Sequence, residues 1–157
     1  MKFPKTADDV EKEILLSSDK SKELGDLRIR QLIHLLHKVN SEIVIEGVVR
    51  VLENDTRPLT HSQDQEFAGK ILERINPDSR MDLKEILQRV LKNWDKSVEQ
   101  FPFWLTDNYG LEKLIGRWHA LKSLIFLSLN NEKFNIILDS ICFTISIDGT
   151  ERHCADG

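Results

Sequence analysis

Between Asn40 and Asp55 the chain reads NSEIVIEGVVRVLEND, and whether this valine- and isoleucine-rich run winds or extends decides the fold. A helix turns each residue by about 100° and a strand by about 180°. With Glu42 as origin, helical winding brings Glu46, Arg50 and Glu53 within roughly 80° of it. Val44, Ile45, Val48, Val49, Val51 and Leu52 then spread over the opposite arc, with Ile43 at the boundary. Extended, Glu42, Glu46 and Arg50 would share a face with Val44, Val48 and Leu52, and neither face would be clean. Glu46 also precedes Arg50 by four residues, the favourable order for an ion pair along a helix. β-Branched side chains lower helix propensity by a few tenths of a kcal/mol each, a deficit that packing overrides. The spacing predicts a helix over Ser41–Glu53.

The preceding DLRIRQLIHLLHKV carries Ile29, Leu32, Ile33, Leu35, Leu36 and Val39 along one broad side, and Arg30, His34 and His37 along the other. Asp26 stands where an N-cap belongs, and His37 and Lys38 fall in the last turn, where the helix dipole favours cations. With only Asn40 and Ser41 between them, the two helices are expected to fold back as an antiparallel pair. A shift of 38 residues superimposes Ile29 on Phe67, Ile33 on Ile71, Ile45 on Leu83, Val48 on Ile86, Val49 on Leu87 and Leu52 on Val90. One offset that matches two successive helices is the mark of stacked helix pairs.

The stretch GDLRIRQLIHLLHKVNSEIVIEGVVRVLEND resembles a HEAT-type helical repeat, with Asp26, Ile29 and Arg30 in its characteristic places before two tightly joined helices. Residues 62–100 follow the pattern in degenerate form, without the Asp…Arg feature. The resemblance implies an all-α fold of stacked antiparallel helix pairs, a right-handed superhelix, whose usual role is to bind other macromolecules along its surface.

Further helices are expected along the chain, five or six in all. TADDVEKEILLSS starts one, with Thr6 as cap and acids in the first turn. SQDQEFAGKILERI offers Ser62 and Gln65 at capping-box spacing and stops at Asn76-Pro77. MDLKEILQRVLKNWDKSVEQ places Leu83, Ile86, Leu87, Val90, Leu91 and Trp94 at helical spacing, closed by Pro102. GLEKLIGRWHALKSLIFLSL is the last strong helix, apolar enough around residues 124–129 to be deeply buried. These define a helical repeat domain over residues 1–139. Residues 140–157 form a tail of strand composition with a hairpin-type Asp148-Gly149 turn, read as packed on the helices or disordered.

Composition narrows the function. At 157 residues with 31% charged and 40% hydrophobic side chains, the chain has the make-up of a soluble globular domain. A net charge of -4 argues against nucleic acid as a partner. No window is apolar enough to span a bilayer, and MKFPKTADDVEKE lacks the apolar region of a signal peptide. Cys142 and Cys154 are therefore expected as reduced thiols in the cytoplasm.

No Gly-rich phosphate loop, nucleophile elbow, zinc-protease motif or CxxC pair is present, so no catalytic residue, cofactor or metal is assigned. His34-x-x-His37 shares its face with Arg30, which repels a cation, and lacks a third ligand. Cys142, His153 and Cys154 lack a fourth. His119, beside Trp118, reads as a helix-surface or boundary residue. Asp8-Asp9 sits in a helix first turn, where acids serve the dipole.

The segment EQFPFWLTDNYGLEK gathers Phe101, Phe103, Trp104 and Tyr109 around a proline and a glycine, outside regular helix pattern. Aromatic anchors on such a loop are what protein-binding hot spots are made of; the competing reading caps the core with them. The leading expectation is a non-enzymatic protein-binding module, an adaptor, scaffold or assembly subunit using helix faces and this aromatic loop. The alternatives are an immunity- or antitoxin-type protein that neutralises a toxin, and a HEAT-like enzyme acting on DNA bases or protein cofactors. An acidic aromatic groove with perturbed carboxylates favours the enzyme; a flat or concave aromatic and charged surface favours the binder.

Overall fold

The computed structural model describes residues 2–124, with side chains described to Arg117. Eight α-helices and no strand occur among the described residues: α1 (Ala7–Asp19), α2 (Ser21–Leu24), α3 (Leu27–Leu36), α4 (Ser41–Glu53), α5 (His61–Ile75), α6 (Leu83–Val90), α7 (Gln100–Tyr109) and α8 (Leu111–Leu124). No helix among them is long and apolar enough to cross a membrane. The expected tail hairpin, the apolar run past residue 124, Cys142, His153 and Cys154 lie outside the described residues, as do the side chains of Trp118 and His119.

The decisive segment is helical within the expected bounds. Val44, Ile45, Val48, Val49, Val51 and Leu52 are buried, and the Glu46–Arg50 pair closes at 2.8 Å. Asn40 caps α4 by accepting the Glu42 N–H at 2.9 Å, satisfying one of the amides a helix start leaves unpaired. α1 starts on the capping box of Thr6 and Asp9: the Thr6 hydroxyl accepts from Asp9 N, and the Asp9 carboxylate accepts from Thr6 N. The Lys5 and Thr6 donors hold the Asp9 carboxyl below the usual carboxylate range against a slight opposing effect of burial.

The partner of α4 differs from expectation. Residues 37–40 form a corner rather than a hairpin, and α4 packs most extensively on α1, then on α5 and α6, instead of lying along α3. The reason lies in Gly47. α1 approaches α4 so closely there that Val10 fills the space a side chain would need. Successive contacts join α1, α4, α6 and α8 into one row and α3, α5 and α7 into another, with α5 touching α1 and α4 between them. The 38-residue offset superimposes α3 on α5 and α4 on α6, and each of these pairs packs side by side. All of the superimposed residues are buried except the half-buried Ile33.

Charged residues that a single helix presents outward are shared between helices. Arg89 of α6 grips Glu46 through Nη1 and Nη2, at 2.8 and 3.1 Å, and Glu53 through Nε and the shared Nη2, at 2.8 and 2.7 Å. Arg50 joins Glu46 to Asp8 of α1. Arg28 of α3 meets Glu13 of α1 at 2.5 Å. Such forked pairs fix geometry as well as energy. They lock α1, α4 and α6 in register.

Gln65 departs most from its expected role. α5 begins at His61 behind Thr60, two residues earlier than the Ser62 cap requires. Gln65 is thereby freed from a capping box and turned inward, fully buried. Its amide nitrogen donates to the carbonyls of Leu52 (3.1 Å) and Asn93 (3.0 Å), and its oxygen accepts Asp95 N–H at 2.7 Å. One side chain thus satisfies an unpaired carbonyl at the end of α4 and two groups in the connection after α6.

That connection also splits the expected helix over residues 81–100. α6 ends at Val90, and the chain turns through Asn93 and Asp95 because Gln65 supplies their hydrogen bonds. The Asp95 carboxylate, burial opposing, is held below its ordinary range chiefly by the Ser97 amide and hydroxyl.

Candidate docking face

The aromatic segment forms α7 rather than a loop. Pro102 lies in the first turn, where no intrahelical N–H is required, so it starts this helix instead of closing the previous one. Gly110 ends α7 at φ +80°, a conformation that glycine adopts without a Cβ clash. The helical winding separates the four aromatic candidates.

Phe101 and Trp104 point into the core, at 0% and 2% exposed. Phe101 contacts Trp94 with centroids 6.0 Å apart and Trp104 at 6.4 Å, within the range of favourable ring contacts. The Trp104 indole N–H donates to the Pro77 carbonyl at 3.0 Å. Tyr109 packs edge-on to Trp104 and is half-buried. Its hydroxyl donates to the Met81 carbonyl at 2.9 Å and lies 2.6 Å from Ser79 Oγ. Burial pushes the Tyr109 phenol above its ordinary value, and the nearby Glu42 and Asp82 charges add to that, against the opposing Ser79 hydrogen bond. Phe101 thus packs in the core against Trp94 of the α6–α7 connection, and Trp104 and Tyr109 tie α7 to the α5–α6 connection. Phe103, half-buried, faces a cleft that the buried Trp104 also lines.

That cleft, of about 230 Å³, lies between α5 and α7. Leu72 and Trp104 contribute its apolar lining, Phe103 an aromatic wall, and Glu73, Glu99 and Asp107 its charges. Glu99, Phe103 and Asp107 are spaced by four residues along α7, the interval that stacks side chains on one helix face. All three carboxylates are exposed, and among the described residues none has an ion-pair partner.

Neighbouring clefts extend the surface. Glu73 also lines a cleft of about 360 Å³ between α3 and α5, floored by Ile29 and Ile33 and flanked by Arg30, Lys70 and Arg74. Arg30 in turn borders an apolar depression formed by Leu27, Gln31, His34 and Leu35 on the outer side of α3. His34 and His37 are both exposed. Among the described residues no three His, Cys, Asp or Glu side chains are grouped to hold a metal ion. The row α3, α5, α7 therefore presents consecutive clefts linked by Arg30 and Glu73, cationic and apolar on the α3 side, acidic and aromatic on the α7 side.

Sequence reasoning passed over Glu73, Glu99 and Asp107. The signal existed for two of them: the interval of four through Phe103 is plain once residues 100–109 are read as a helix. Comparison with protein-family models, curated proteins and solved structures finds no match to this chain.

Proposed function

We propose that the protein is a non-enzymatic docking module whose α3–α5–α7 row receives another protein, within a HEAT-like stack of helices. The observation that carries this reading is the succession of clefts along that row, joined through the shared residues Arg30 and Glu73. A surface of this kind combines apolar floors, an aromatic wall and charged rims, the anatomy of a protein interface rather than of an enclosed small-molecule site. The exposure of Glu73, Glu99 and Asp107 favours the binder over the enzyme, because hydrated charges serve recognition while general acid–base work uses partly desolvated groups. The two rows, and the 38-residue sequence offset that matches α3 with α5 and α4 with α6, support the repeat architecture. In it, one row faces outward for binding and the other is locked by the Arg89 and Arg50 ion pairs.

Photo-crosslinking residues placed singly across the chain test the reading. Positions Gln31, Arg74 and Phe103 lie on the docking row; Lys12, Lys84 and Gln88 are exposed on α1 and α6. The expected result in native cells is one cross-linked protein species from the first set and none from the second. Equal capture from both sets, or no capture from the first, overturns the assignment of this face.

A further inference from the structure

The acidic end of the face defines what it receives. We infer that the α5–α7 cleft takes an arginine side chain from an exposed basic segment of the partner protein, an inference that rests on the docking reading above. About half of the carboxylates of the described structure have a cationic partner; Asp8, Glu13, Asp19, Glu46, Glu53 and Asp64, for example, each meet an arginine. Glu73, Glu99 and Asp107 meet no cation among the described residues, and all three line one cleft.

The backbone does not compensate. α5 brings its carbonyl end to the cleft, whereas the α7 lining runs from the N-cap Glu99 to Asp107 in the last turn, so the backbone presents no net positive end and the side-chain charges decide the sign. The field of the cleft is negative. Its volume of about 230 Å³ lies below the ~300–1,000 Å³ of drug-sized ligand sites, a space suited to one long side chain. Phe103 selects the kind of cation. A planar guanidinium stacks on an aromatic ring and forks to carboxylates on both sides, whereas an ammonium is a compact point charge held by its hydration. Glu73 of α5, Asp107 of α7 and Glu99 at the N-cap of α7 supply those carboxylates. The cleft is therefore a clamp for a planar cation.

The test uses the full chain and a blocked synthetic peptide carrying two arginines among glycines and serines, with a matched peptide in which citrulline replaces arginine. Amide chemical-shift changes on titration are expected to concentrate at residues 72–76 and 99–107. Joint replacement Glu73→Gln, Glu99→Gln and Asp107→Asn is expected to weaken binding about tenfold or more. A second triple variant, Asp55→Asn, Asp78→Asn and Glu112→Gln, removes the same formal charge from exposed positions outside the cleft and is expected to leave affinity within about twofold. All six substitutions fall on exposed side chains, so both proteins fold for comparison.

Shifts centred elsewhere, equal weakening by the two triple variants, or equal binding of the citrulline peptide overturns the inference. Self-association that the cleft variant abolishes also overturns it, by making a second copy the occupant. Crosslinking from Gln31 and Arg74, outside this cleft, separates the two failures. A partner captured there by a chain that ignores the arginine peptide removes the arginine assignment alone; no partner at any position of the row removes the docking face.

Discussion

Gly47 of α4 faces Val10 of α1 so closely that a Cβ on the glycine would stand 2.6 Å from the valine Cβ and 3.0 Å from the Ala7 carbonyl oxygen. This contact sets the separation of the two most extensively packed helices. Alanine favours a helix interior over glycine by about 1 kcal/mol, but overpacking a tight core costs about 1–3 kcal/mol. Neither a Cβ nor a carbonyl can rotate out of the way, so the steric effect wins. Gly47→Ala is expected to lower stability by about 1–3 kcal/mol, read as a lower urea midpoint at unchanged slope. A midpoint equal to or above that of the native chain contradicts the packing assigned to α1 and α4.

Gln65→Leu keeps the volume of the buried side chain and removes its hydrogen bonds. It strands the Leu52 and Asn93 carbonyls and the Asp95 N–H. Buried polar groups left unpaired cost about 1–3 kcal/mol each, less where water reaches them. A loss of about 2–4 kcal/mol in urea denaturation is expected. Stability unchanged by the leucine would show that the amide contributes no net hydrogen bonding.

The acid limb of stability should depend on Glu46. The Arg89 hydrogen bonds hold its carboxyl below the ordinary range, with burial opposing and Arg50 adding. Because the folded value lies below the unfolded one, its contribution is complete above the unfolded value of about 4.3. It disappears as pH falls through the lower folded value. Glu46→Gln is expected to flatten the fall of melting temperature over that interval and to lower the plateau at neutral pH. Parallel melting profiles for the two proteins would remove Glu46 from the acid response.

Tyr109 is the only tyrosine of the chain, so phenolate absorbance reports it alone. Burial, with the Glu42 and Asp82 charges and against the Ser79 hydrogen bond, is expected to carry its titration above the ordinary value of about 10. The neutral phenol belongs to the fold. Its contribution is therefore present below the unfolded value and lost as pH rises through the folded one. Titration at or below the ordinary value would contradict the buried placement.

Two neighbours on α7 should respond oppositely. Trp104→Ala removes a buried indole and its bond to Pro77, for an expected loss of about 3–5 kcal/mol. Phe103→Ala acts at the partly open cleft wall and is expected to cost about 1 kcal/mol or less, while weakening the arginine peptide. Equal destabilisation by the two would place Phe103 in the core.

Helical periodicity was legible wherever one helix's own pattern sufficed. Ser41–Glu53 announced itself through the opposed arcs of glutamate and valine, and Thr6 with Asp9 marked the start of α1. What stayed hidden depends on residues far apart in the chain. Nothing local to Val90 says that the helix stops there, because the groups that hold the turn belong to Gln65. Likewise, the valines of α4 specify burial without naming the helix that covers them, and the close contact at Gly47 gives that place to α1. For the site, proline and glycine around the aromatic run suggested a loop. Pro102 fits a first helical turn equally well, and with that helix hidden the alignment of Glu99, Phe103 and Asp107 was hidden too.

Gln65 has a consequence for how the molecule comes apart. A linear array of repeats can fray from either end, since each unit touches only its neighbours. Here one amide fastens the finish of α4 to the bend beyond α6, while Arg89 ties α6 back to Glu46 and Glu53. Peeling away residues 83–98 would strand polar groups in the half left behind, so the segments from α4 to α7 are bound to melt as one unit.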